Sequence, residues 1–247
     1  MRPYMIRVSS IKGGVGKSVI ATNLSVALKQ EGYNVLLVDA DFSNPCVGIY
    51  LGMESVNRGF QDVVKGKADP AEVIIAHTPS GVKVLIQVIT GEQMQMTEEE
   101  AGATNKLLRS LDYDFVIVDT QPGIQWSAAL DSYDEALIVT LPTEASCVSA
   151  IRLLEHYRKA NVKTSIVVNR FTNEEFDLSI DDIEKICEEK VISVLSEDDN
   201  VRVAVSQSTP VYMFNSGSPF SVGVRNLAAL LASRIEQPSK PSNPTPQ

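Results

Sequence analysis

The chain has 247 residues, of which 44% are hydrophobic and 21% are charged, a composition that is typical of globular proteins and argues against collagen, coiled coil or disorder throughout. Its net charge is −9, from 22 Lys and Arg against 31 Asp and Glu. A surface this acidic repels a nucleic-acid backbone unless its basic residues cluster on one face, so DNA binding is disfavoured.

Short apolar runs rich in β-branched residues alternate with helical patterns along the chain. Strands are predicted at Met5–Ile11, Asn34–Asp39, Lys83–Val88, Asp114–Asp119, Ala136–Leu141, Thr164–Asn169 and Val191–Leu195. Helices are predicted at Lys17–Gln30, Glu98–Leu111, Ser146–Ala160, Ile180–Glu189, Val201–Ser208 and Val222–Ile235. Several strands are continuously hydrophobic, which is typical of strands covered on both faces. The alternation predicts an α/β fold, with a doubly wound, mostly parallel sheet and helices on both faces.

No linker interrupts this alternation, which predicts a single domain over residues 1–236. Residues 237–247 contain four prolines and little apolar surface, so we expect a disordered tail there. Cys46, Cys147 and Cys187 are widely spaced, which indicates buried thiols in a reducing cytosol, not a disulfide scaffold or a zinc site. The sequence shows no signal-peptide pattern and no apolar run long enough to span a bilayer, so we expect a soluble, cytoplasmic protein.

A glycine-rich segment follows the first predicted strand and precedes a predicted helix. Glycines let backbone N–H groups approach a phosphate closely, and the helix N-terminus adds a partial positive charge of roughly +0.5. Lys17 is expected to reach the β- and γ-phosphates and the Ser18 hydroxyl to ligate Mg²⁺. Ile11 stands where the strict pattern has its first glycine. The predicted nucleotide contacts in this segment are Gly13, Gly14, Val15, Gly16, Lys17, Ser18 and Val19.

Residues 12–18 resemble the deviant Walker A motif of the MinD/ParA family of P-loop ATPases, and the resemblance covers roughly residues 5 to 236. It implies ATP or ADP with Mg²⁺ as ligands, and ATP hydrolysis. Lys12 matches the family's signature lysine, which reaches the phosphates of the second subunit in an ATP-bound dimer and assists phosphoryl transfer. The acid that pairs with this lysine in some MinD proteins aligns with Ala150, and Glu144 is the alternative.

Three acidic residues lie at the ends of predicted strands, beside the crevice where parallel sheets bind ligands. By the resemblance, Asp39 orients water bound to Mg²⁺ and Asp41 positions the attacking water, which makes Asp41 catalytic together with Lys12 and Lys17. Asp119 ends a strand of the Walker B form and would hold a water on Mg²⁺. Gly123 falls in the segment that resembles switch II, where its amide can meet the γ-phosphate.

The resemblance also suggests where the base binds. Asn169 matches the family's adenine-binding Asn, Arg170 follows it, and Pro210 lies in a segment that resembles the lining of the base pocket. Val19 departs from the family pattern, because it replaces the second Thr that usually follows the loop.

These observations predict a Mg²⁺-dependent ATPase of MinD type, slow without a partner, that forms an ATP-dependent homodimer. It would position or regulate an unidentified protein partner, in cell division or another form of spatial organisation. Two alternatives are a metal-insertion carrier and a ParA-type DNA-segregation ATPase, the latter supported by a local basic face at Arg152, His156, Arg158, Lys159 and Lys163. The apolar spacing in 227–232 favours a helix that covers the core over a membrane-binding helix.

Overall fold

The computed structural model describes residues 2–53, 56–89, 94–124 and 130–236. Within these residues the strands are β1 (Tyr4–Ser9), β2 (Val35–Ala40), β3 (Ile75–Ala76), β4 (Lys83–Leu85), β5 (Phe115–Thr120), β6 (Glu135–Thr140), β7 (Lys163–Phe171) and β8 (Val191–Ser196). The helices are α1 (Lys17–Gln30), α2 (Val47–Tyr50), α3 (Phe60–Val64), α4 (Pro70–Val73), α5 (Glu98–Ser110), α6 (Glu144–Lys159), α7 (Ile180–Cys187), α8 (Asp199–Ser206), α9 (Val211–Phe214) and α10 (Pro219–Glu236).

The described strands form one sheet in the order β3-β4-β2-β5-β1-β6-β7-β8. All neighbouring strands are parallel except β3 and β4, which pair antiparallel. The chain builds one half of the sheet on one side of β1 before β6 begins the other half. In such sheets the ligand crevice lies at the carboxyl ends of the strands near this reversal of direction.

Helices cover both faces of the sheet, because successive side chains of a buried strand point to opposite sides. On β2, Leu37 packs in the hydrophobic cluster that contains Leu24 of α1 and Leu227 of α10. Its neighbour Leu36 packs in the other cluster, together with Leu153 of α6. The predicted α/β class and the doubly wound, mostly parallel sheet are therefore confirmed.

Helices α5, α7 and α8 each begin at a residue whose side chain caps the helix. Thr97 accepts a hydrogen bond from the Glu100 amide, and the Glu100 carboxylate accepts one from the Thr97 amide, which is a capping box at the start of α5. Ser179 and Asp198 cap α7 and α8 in the same way, each through a side-chain oxygen. Helix α1 differs, because Gly16 stands at its N-cap position and offers no side chain.

The predicted bounds agree with the structure for α1 and are close for the other long elements. The sequence analysis missed α2, α3, α4, α9 and β3, which are only two to five residues long. Helix α10 begins at Pro219, earlier than the predicted Val222, since Asp198 accepts a hydrogen bond from the amide of Phe220. As predicted, Leu227, Ala228 and Leu231 of α10 are fully buried.

The predicted disordered tail lies outside the described residues. Among the helices that are described, none combines the length and the apolar character that crossing a membrane requires.

Candidate functional site

The loop between β1 and α1 has a backbone shape that requires glycine. Gly14 has φ 78° and Gly16 has φ 97°, a region that residues with a Cβ atom rarely adopt. Val15 between them is only 3% exposed and packs into the core below α1, which anchors the loop. Because Gly16 has no side chain, no side-chain oxygen at the N-cap position accepts a hydrogen bond from the first-turn N–H groups of α1. Such a helix N-terminus favours an anionic ligand.

A cavity of about 440 Å³ lies over this loop. Lys17 is among its lining residues although only 6% of the residue is exposed, so a buried lysine and an uncapped helix terminus border the same space. Gly13, Gly14, Gly16, Ser18 and Val19 also line it, together with Asp41, Ser43, Asn44, Cys46, Tyr50, Pro122 and Arg170. The structure therefore brings most of the predicted phosphate-binding residues together around one cavity, whereas Lys12, Val15 and Gly123 are not among its lining residues.

Two buried carboxylates lie side by side beneath this cavity. Asp39 of β2 is in register with Asp119 of β5, and the two residues are 1% and 0% exposed. Asp39 accepts hydrogen bonds from the backbone amides of Asp41 and Val47. Among the described residues, neither carboxylate oxygen of Asp119 accepts a hydrogen bond of normal geometry, although the Ser18 hydroxyl and the Thr120 amide lie close enough to influence its pKa.

This environment raises the pKa of both acids. Burial raises the pKa of Asp119 to about 7, although the nearby Ser18 hydroxyl and Lys17 ammonium group partly oppose the rise. Burial, and then the charge of Asp119, holds the pKa of Asp39 well above its usual value. A cation with bound water would stabilise both carboxylates and supply the missing donors to Asp119, so this pair fits the predicted metal site.

Asp41 lies at the edge of the same cavity and is held in place by the loop that follows it. Its Oδ1 atom accepts hydrogen bonds from the amide and the hydroxyl of Ser43 and from the amide of Asn44, at 3.1, 2.6 and 2.9 Å. The carboxylate is 5% exposed. Asp41 is therefore a fixed acceptor beside the space that the phosphate loop lines.

Lys12 and Gly123 are both predicted to contact phosphates, but in the structure each donates a hydrogen bond to a backbone carbonyl. The Lys12 Nζ atom donates to the carbonyl of Ala145 at 3.2 Å, at the start of α6. The Gly123 amide donates to the carbonyl of Ser10 at 2.9 Å. The predicted contacts of these groups with phosphates thus require each of them to exchange a hydrogen bond that exists in the structure.

A second cavity, of about 380 Å³, adjoins the first, since Gly16, Val19 and Arg170 line both. Its other lining residues are Asn169, Ser196, Glu197, Asp198, Val201, Arg202 and Phe220. Arg170 has φ 58°, and its guanidinium lies 3.8 Å from the Glu197 carboxylate. The Asn169 side-chain amide donates to the carbonyl of Val15 at 2.8 Å.

The predicted base contacts are only partly brought together. Asn169 and Arg170 line the second cavity, whereas Pro210 is the N-cap of α9 and is not among its lining residues. The sequence analysis missed Glu197, Asp198 and Arg202. The rule that identified Asp39 would have found the two acids, because they follow the carboxyl end of β8.

Two further expectations are modified by the structure. Cys147 and Cys187 are buried as predicted, but Cys46 is only partly buried and lines the first cavity. On the predicted basic face, Arg158 donates to Glu189 and Lys163 lies 3.8 Å from Glu135. These carboxylates reduce the positive charge available to a nucleic acid.

Comparisons with known proteins identify the family of this chain and relatives that share its fold. The family model of the CobQ/CobB/MinD/ParA nucleotide binding domain matches residues 6–211. The chain is 31% identical over 233 residues to an uncharacterized ATP-binding protein of Methanocaldococcus jannaschii, covering 92% of this chain and 88% of that protein. It is 31% identical over 237 residues to the septum site-determining protein MinD of Thermotoga maritima, covering 91% and 86%. The solved structure of MinD from Pyrococcus horikoshii, complexed with Mg-ADP, superposes with a TM-score of 0.82 at 25% identity, covering 94% of this chain and 98% of that one.

Proposed function

This chain belongs to the CobQ/CobB/MinD/ParA family of nucleotide-binding domains, and from that premise we propose that it is a Mg²⁺-dependent ATPase that dimerises when ATP is bound. The observation that carries the proposal is the pair of adjoining cavities. One is lined by an anion-binding loop, the other by polar strand ends, and they meet at Gly16, Val19 and Arg170. A nucleotide bound across this junction would place its phosphates in the first cavity and its base in the second.

The phosphates would be held by the backbone N–H groups of residues 13–19 and by the Lys17 ammonium group. Lys17 is nearly buried, so its attraction to an anion is less screened by water than that of a surface lysine. The Ser18 hydroxyl, with Asp39 and Asp119 acting through water, would hold Mg²⁺. A metal ion held there would neutralise charge on the phosphate oxygens.

Hydrolysis would use Asp41 to orient the attacking water, since Ser43 and Asn44 fix its carboxylate beside the phosphate cavity. Lys12 would leave the Ala145 carbonyl and contact the phosphates bound to a second copy of the chain. A cation supplied in this way by a partner molecule can accelerate phosphoryl transfer by about 10³–10⁵. Dimerisation would therefore control the rate.

The dimer would act as a switch that positions or regulates a partner protein. The MinD relatives are named as septum site-determining proteins, which supports a role in cell division or in another form of spatial organisation. The partially neutralised basic face makes the DNA-segregation alternative less favourable.

The decisive experiment combines nucleotide binding, phosphate release and mass determination by light scattering after size exclusion. We expect wild type to be monomeric with ADP and dimeric with ATP and Mg²⁺. Asp41→Ala should bind ATP, lose hydrolysis and accumulate as the dimer, and adding Lys12→Ala should return it to the monomer. Asp69→Ala removes an exposed carboxylate that caps the short helix α4, and it serves as the matched control.

The proposal fails if wild type binds no nucleotide, or if Asp41→Ala hydrolyses ATP at the rate of wild type. The same samples are run with duplex DNA and with anionic liposomes. ATP-dependent retention on DNA at moderate salt would support the DNA-segregation ATPase and would contradict a protein-only partner.

A further inference from the structure

We infer that Asn169 is a positioning residue for the phosphate loop, in addition to any contact it makes with the base. The inference rests on the proposed nucleotide binding and deepens it. Asn169 lies at the end of β7, far from residues 11–19 in the sequence, and yet its side chain bonds directly to that loop. Its role would be to fix the loop so that the N–H groups of residues 13–19 converge on one anion.

The contact has the chemistry of a structural clamp. The Asn169 side chain is 4% exposed and Val15 is 3% exposed, so the hydrogen bond between them is shielded from water. A carbonyl oxygen can only accept, so the side-chain atom that faces Val15 must be the Nδ2 donor. When the amides of a loop turn toward a ligand, its carbonyls turn away and need partners of their own. Asn169 supplies that partner to Val15.

The absence of a side chain at Gly16 makes room for the hydrogen bond between Asn169 and Val15. An ideal Cβ atom on Gly16 would lie 2.4 Å from the Asn169 Nδ2 atom, a distance that real Cβ contacts do not show. Gly16 therefore provides both the φ of 97° and the space in which the Asn169 amide reaches the loop. The short hydrogen bond, its burial and the lack of a Cβ atom at Gly16 all indicate that β7 and the loop approach each other closely at this point.

Asn169 also lines the second cavity, so it connects the two parts of the site. Its Oδ1 atom would remain free to accept a hydrogen bond from a base while Nδ2 holds the loop. If Asn169 both holds the loop and contacts the base, its effect can be distinguished from that of a residue that contacts the base alone. The loss of Asn169 should weaken the binding of a ligand that has phosphates but no base.

The test measures binding of Mg-tripolyphosphate and of Mg-ATP by isothermal titration calorimetry. We expect Asn169→Ala to bind tripolyphosphate at least about tenfold more weakly than wild type, a factor that corresponds to about 1.4 kcal/mol. Val201→Ala changes the wall of the second cavity and leaves that of the first intact. It should bind tripolyphosphate within about twofold of wild type.

Cys187→Ala is the control for a general loss of stability, because it truncates a buried side chain on α7, away from both cavities. It should lower the unfolding temperature and leave tripolyphosphate affinity unchanged. If Asn169→Ala does not fold, Asn169→Ser replaces it, because a serine hydroxyl keeps a donor but is too short to reach the Val15 carbonyl. We expect Asn169→Ser to lose at least about threefold in tripolyphosphate affinity.

The inference is overturned if the Asn169 variants bind tripolyphosphate like wild type and lose affinity only for ATP, since Asn169 would then contact the base alone. It is also overturned if wild type binds ATP but not tripolyphosphate. Wild type that binds neither ligand contradicts the proposed function itself, so the two failures can be distinguished.

Discussion

Replacing Gly16 with alanine tests how closely the phosphate loop and β7 approach each other, and the chain provides a matched control. Gly16 and Gly32 have nearly the same positive φ, 97° and 98°. An added Cβ atom would lie 2.4 Å from Asn169 at Gly16, whereas nothing lies within 4 Å of it at Gly32. The two substitutions therefore share the backbone strain and differ in the contact.

The expected magnitudes follow from that difference. A left-handed φ destabilises alanine by about 1–2 kcal/mol. Replacing glycine also reduces the conformational entropy of the unfolded chain, which stabilises the folded state by about 0.4–1 kcal/mol. Gly32→Ala should therefore lower the free energy of unfolding by about 1 kcal/mol. Gly16→Ala must also displace the Asn169 amide and leave the buried Val15 carbonyl without its donor, at a further cost of about 1–3 kcal/mol.

Urea unfolding followed by circular dichroism measures both variants, without ligand. The reasoning predicts that Gly16→Ala loses about 2–4 kcal/mol, and that its excess over Gly32→Ala disappears when both are made in the Asn169→Ala background. Equal losses for the two single variants, or an excess that persists without Asn169, would show that the close approach has no energetic consequence.

Two other predictions concern buried charge. Asp119→Asn should stabilise the metal-free protein at pH 8. The pKa of Asp119 rises by about 3, from 3.8 to about 7, which costs the wild type about 4 kcal/mol of stability once the acid is ionised. The substitution removes this cost, but the buried amide that replaces the acid lacks partners, which lowers stability by about 1–3 kcal/mol. The unfolded acid ionises first, so this cost develops between about pH 4 and 7. Unfolding in EDTA should therefore show Asp119→Asn more stable than wild type by about 1–3 kcal/mol at pH 8, with the difference falling and then changing sign as the pH approaches 4; a difference independent of pH would contradict this reasoning. Arg234→Ala should lower the free energy of unfolding by about 2 kcal/mol, because it removes the nearer of the two cations that contact the fully buried Glu135, while Lys163, 3.8 Å away and half exposed, offsets only part of that charge. Adding Glu135→Gln should restore part of this loss in the same urea assay, and no recovery would mean that the pair is not coupled.

The sequence was sufficient to predict features that are encoded locally. Continuous apolar strands and helical periodicity predicted the doubly wound sheet, and a short glycine-rich segment predicted the cavity over α1. Asp39 and Asp119 could be placed together because parallel strands end at a common edge.

Contacts between distant segments could not be predicted in this way. The bond between Asn169 and Val15 joins residues 154 positions apart, and that between Lys12 and Ala145 joins residues 133 positions apart. Such contacts depend on how neighbouring strands and loops pack, which no periodicity reports. The short helices α2 to α4 were missed for a related reason, since four or five residues are too few to show a repeat of 3.6.

The two-residue strand β3 has a consequence for how copies of this protein can associate. It ends the sheet on one side with an antiparallel pairing of Ile75 and Ala76 to β4. An edge this short offers an incoming chain very few free backbone groups, which disfavours growth of the sheet by strand addition on this side. Copies of the chain are therefore not expected to form one continuous sheet through β3, whatever other surface they share.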